Sequence, residues 1–139
     1  MDRELKKMME GVEVREAESR SREHLRRVFT GIVRCISNAR RHLEAPAEGP
    51  SADREVLSTT HAALVELLRS EGVTLFGEAG DRVEAGRHEV MSVVDSPQET
   101  GTVVAVIEEG AVWSTGLLQK ASVIASRATP DSDRTVENS

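Results

Sequence analysis

The 139-residue chain has no tyrosine, two phenylalanines, one tryptophan and one cysteine. So few rings cannot build the stacking platform on which single-stranded nucleic acid is held. A positive surplus is missing too: the formal charge is −6 and the pI about 5.3, which argues against a generic nucleic-acid binder. The lone Cys35 excludes an intrachain disulfide and favours a reducing compartment. No apolar run approaches the roughly 18 residues of a spanning helix, and the charged start lacks a signal-peptide core. A soluble, cytoplasmic protein without membrane contact is expected.

Chemistry-bearing patterns are equally scarce. His24, His42, His61 and His88 are scattered and Cys35 has no partner, so no metal site is expected. Walker A, GxSxG and dinucleotide-binding motifs are absent. GEAGDRVEAG has the glycines of a phosphate loop, but Glu78, Asp81 and Glu84 would repel phosphate. His88 and Glu89 form a tempting acid–base pair, yet adjacent residues on a strand point to opposite faces. His88 is therefore read as a polar turn residue that hydrogen-bonds a loop. No catalytic residue and no cofactor are expected.

What is present is a helical first half and a glycine-punctuated second half. Residues 1–45 carry eleven Lys/Arg and eight Asp/Glu, a mixed pattern typical of a solvated helix face. Leu25, Val28, Ile32, Ile36, Ala39 and Leu43 step by three or four along one stripe, widened by Phe29 and Val33. Upstream, Leu5, Met9 and Val12 continue it weakly and 13–24 are nearly all polar. A frayed helical extension and a weak two-chain coiled coil both fit that stretch.

EAPAEGPS, residues 44–51, reads as a loop. A second helix fits 52–71, with Ser51 or Asp53 as N-cap and Gly72 ending it. Leu57, His61, Leu64 and Leu68 share one of its faces, so His61 belongs in or beside a helix seam. Two helices cannot bury such stripes alone and need a sheet, another pair of helices, or both. Pairing two helical hairpins about a twofold axis into a four-helix bundle is the economical solution.

Seven of the ten glycines fall between 72 and 116, separating VTLF, EVMSVV, GTVVAVIE, AVW and ASVIAS. These read as five or six short strands of a compact β unit. The expected fold is α+β: a helical dimerisation region over 1–71, a small all-β domain over 72–128 and a flexible tail over 129–139. SPQETGTVVAVIEEGAVWSTGLL is similar to the second half of a biotinyl or lipoyl carrier domain. Such a domain needs a lysine in a tight turn, and none occurs between Lys7 and Lys120.

In order, the pieces resemble the GrpE family, dimeric nucleotide exchange factors of Hsp70 (DnaK) chaperones. The likeness runs from about Leu25 to Ala128. GVTLFGEAGDRVEAGRHEVM matches the family's "GV..i...G..FDP..HEAV", and GTVVAVIEEGAVWSTGLLQKASVIA its "GtVv.v...GY.....vlRpA.V.V". GIVRCISNARRHL resembles the family's bundle helix, and REVLSTTHAALVELLRSEGV the helix before the β domain.

The resemblance implies a homodimer whose β domain holds open the nucleotide cleft of an Hsp70 partner. It implies a partner-binding surface of Val83, Glu84, Gly110, Ala111, Trp113, Gly116 and Leu117. The implied dimer interface is Leu25, Val28, Ile32, Ile36, Leu57, His61, Leu64 and Leu68. Gly110 corresponds to the family's turn glycine, needed there if its φ is positive. Several positions depart from the pattern: Ala111 stands where tyrosine is usual, Gly116 where better-studied members have arginine, Glu84-Ala85 replaces "DP" and Gln119-Lys120 replaces "RP" or "RA". A same-fold dimeric scaffold or adaptor that has lost exchange is the second reading.

Overall fold

The computed structural model describes residues 2–46, 51–114 and 116–129. Helices α1 (Arg3–Glu44) and α2 (Ser51–Ser70) precede six strands: β1 (Thr74–Phe76), β2 (His88–Ser96), β3 (Val103–Glu108), β4 (Gly110–Trp113), β5 (Gly116–Gln119) and β6 (Ala121–Ala128). The expected α+β order is found. β5, covering GLLQ, was not among the strand segments read from the sequence. Half of the expected loop (47–50) and nearly all of the expected tail lie outside the described residues.

α1 is one unbroken helix of 42 residues, including the polar stretch 13–24. Asp2 caps it, its carboxylate accepting from the Glu4 amide at 3.3 Å. From Asp2 to Leu25 every residue but Gly11 is exposed, so among the described residues this half is left largely uncovered. α2 stops where Gly72 takes φ 85. The Val73 amide donates to Leu68 O at 2.9 Å and the Gly72 amide to Arg69 O at 3.0 Å, the two bonds of a Schellman end. Ser51 is the first residue of α2 and Asp53 lies in its first turn.

The strands form two three-stranded sheets, β1-β4-β5 and β2-β6-β3. Among the described residues only the β2–β6 pair is parallel, its crossover being the β3–β4–β5 segment. Phe29, Val33 and Ile36 of α1, Leu68 of α2, Val73, Ala111 of β4 and Leu118 of β5 form one buried cluster. The helical hairpin and the first sheet thus share a core. Val103, Ala121 and Val123 form the smaller core of the second sheet, with Phe76, Val83 and Val106 packed against it. Each fully buried Val, Leu, Ile or Phe contributes about 1.5–3 kcal/mol relative to exposure.

Candidate partner-binding surface

The segment between β1 and β2 is built from turns. The Gly80 amide donates to Val103 O, the Val103 amide to Asp81 O and the Val83 amide to Gly101 O, each at 2.8 Å. Asp81 turns its carboxylate back onto the Glu78 amide at 2.9 Å. That pattern consumes the donors that a phosphate cradle would need to present. His88 is buried, and its Nδ1 accepts from the Glu84 amide at 3.0 Å. The imidazole therefore pins the turn that leads into β2, while Glu89 faces solvent. Arg87 lies over the Phe76 ring, 4.2 Å from its centroid.

The residues expected to face a chaperone fall into two groups. On the β4–β5 hairpin, register places Trp113 opposite Gly116 and Val112 opposite Leu117. Trp113 is half-buried and meets Phe29 edge-on at 5.1 Å, whereas Gly116 and Leu117 are exposed. Ala111 and Gly110 are buried, and Ala111 has no accessible surface left for a partner. Val83 and Glu84 lie on the loop between β1 and β2: Val83 is half-buried against the second core, and Glu84 is exposed.

Two of the glycines are held by different constraints. Gly110 does not have positive φ. It is glycine because an added Cβ would lie 2.3 Å from Phe76 Cζ. Gly116 takes φ 130 in open space, a backbone that arginine rarely adopts.

The helix residues also divide. Leu25 and Val28 are each 41% exposed, and Ile32, Leu57, His61 and Leu64 are half-buried. Ile36 and Leu68 are fully buried with no second copy present. His61 Nε2 is enclosed without a hydrogen-bond partner.

One surface was not nominated from sequence. Among the described residues β2 pairs with β6 on one edge only, and Val90, Met91, Val93 and Val94 are 38% to 56% exposed. A mixed apolar run of this kind suits a strand covered on both faces, yet it sits at a sheet edge. Among the described residues no three His, Cys, Asp or Glu side chains converge to hold a metal ion. No described helix is long and apolar enough to cross a membrane.

Comparison with known proteins agrees with this architecture. The GrpE family model matches residues 2–127. Over 120 residues the chain is 32% identical to "Protein GrpE" from two strains of Halobacterium salinarum, covering 81% of this chain and 55% of each relative. It is 28% identical over 101 residues to "Protein GrpE" of Paraburkholderia xenovorans, covering 73% of this chain and 48% of the relative. The chain thus spans about half the length of the curated relatives it matches.

Proposed function

The chain belongs to the GrpE family of non-catalytic nucleotide exchange co-chaperones, and from that premise we propose that it is a cytoplasmic homodimer that promotes ADP release from an Hsp70 (DnaK-like) partner. The observation that carries the partner contact is the exposed apolar edge strand β2, with Leu117 and Gly116 on the β4–β5 hairpin of the other sheet as further exposed contacts. A row of apolar side chains at an unpaired edge offers both backbone donors and desolvation to a partner. Dimerisation uses what the protomer leaves open: Leu25, Val28, Ile32, Leu57, His61 and Leu64, with the exposed first half of α1 supplying a paired coiled coil.

Exchange by this route involves no covalent step. The β domain binds the chaperone's open cleft more tightly than its closed, nucleotide-clamped cleft, and so shifts the population toward open. By linkage, ADP weakens the co-chaperone's binding by the same factor. Each tenfold preference for the open state corresponds to about 1.4 kcal/mol of differential contact.

The test is release of fluorescently labelled ADP from a cognate Hsp70. An acceleration of at least tenfold at saturating protein is expected. Unchanged release with a stable complex on a sizing column would instead favour the same-fold scaffold, a reading supported by the departures at Ala111 and Gly116. Neither release nor complex would end the exchange reading.

A further inference from the structure

Glu109 is the single residue between β3 and β4, so it links the two sheets. It is buried, and its contacts run to α1. The Glu109 amide donates to Ser37 Oγ at 3.0 Å, and Ser37 Oγ donates back to Glu109 Oε1 at 3.0 Å. Arg40 Nε donates to the same carboxylate oxygen at 2.9 Å, and Arg40 Nη2 reaches Val106 O of β3 at 2.7 Å. From β5, Gln119 Nε2 donates to Glu109 O at 2.7 Å. Main chain and side chain of one linking residue are thereby gripped together, which fixes its orientation as well as its position.

We propose that Ser37, Arg40 and Glu109 form an interdomain lock that makes α1 and both sheets one rigid body. Three features favour a lock over an incidental ion pair. Ser37 is fully buried and Glu109 nearly so, so a joint that loosens without admitting water leaves a carboxylate and a serine buried and unpaired. Arg40 uses its guanidinium fork on a carboxylate and a strand carbonyl at once, a geometry that lysine cannot reproduce. Beside the joint, Phe76 closes on Gly110 and leaves no slack for the chain to pivot. Trp113 meets Phe29 edge-on further along the same helix, so its exposure reports how α1 sits against the first sheet. The inference concerns the chain itself and stands whether or not an Hsp70 proves to be the partner.

The test uses the full chain and its single tryptophan, Trp113. In Arg40→Met, acrylamide quenching of Trp113 should rise at least threefold while far-UV circular dichroism is unchanged. Residue-resolved hydrogen exchange should show the Glu109 amide exchanging at least tenfold faster, with the β2–β6 ladder amides unaltered. Equal acceleration of all core amides would show ordinary global destabilisation, and unchanged quenching would show that no body is released; either overturns the lock. If Arg40→Met does not fold, Arg40→Lys is judged by the same two readouts.

Discussion

Single atoms decide several positions, and Gly110 is the sharpest. A methyl group there would meet Phe76 Cζ, Cε2 and Cε1 at 2.3, 2.5 and 2.7 Å. Those ring atoms pack against the second core, so the ring cannot retreat without opening a space beside Val103 and Val123. Gly110→Ala is therefore expected to cost about 1–3 kcal/mol, the range for forcing extra volume into a packed site. Urea unfolding followed by circular dichroism measures it. The double variant with Phe76→Leu should recover part of the loss, because the two sites share the same volume. Equal stability of Gly110→Ala and the parent would show that the ring has room. By contrast, Gly116 has nothing within 4 Å and is held by its φ of 130, so its glycine answers to backbone conformation alone.

At the scale of elements, the apolar stripes of α1 and α2 were legible in the sequence, because their three- and four-residue steps follow from helix geometry. How much of each stripe the protomer consumes was not legible. That division depends on where the first sheet docks, and periodicity carries no such information. Ile36 and Leu68 go inside with Val33, Val73 and Leu118, while Leu25 and Val28 stay open. The glycine spacing announced the β unit, but the edge position of β2 depends on the parallel β2–β6 pairing, a long-range choice. The exposed remainder of the helices makes a separable prediction. Val28→Asp should abolish the dimer in light scattering and change protomer stability little, since the side chain is already 41% exposed. Ile36→Ala should do the converse, lowering stability by about 2–5 kcal/mol through a core cavity. A monomeric parent would remove the dimer from the proposal.

For the whole molecule, the question is which surface a partner can read. The family resemblance pointed to Val83, and Val83 is half-buried against the second core. A charge there would damage the second core before it reached any interface, and lost binding would be uninterpretable. β2 separates the two effects. Val93 is 51% exposed on an edge strand, so Val93→Asp should alter protomer stability by no more than about 0.5 kcal/mol. If the edge is the contact, the same change places a carboxylate in a desolvated patch and removes an apolar anchor. Interface anchors cost about 2 kcal/mol or more on truncation, which is roughly a 30-fold loss of affinity. Calorimetric titration of the Hsp70 nucleotide-binding domain should show that loss, with the dimer mass and thermal midpoint unchanged. Because the chain carries −6 overall, raised salt separates repulsion from lost apolar contact. Affinity that recovers at high ionic strength would mean that the carboxylate merely repels an acidic partner. Affinity that stays low would place β2 in the interface, and affinity that never fell would remove it.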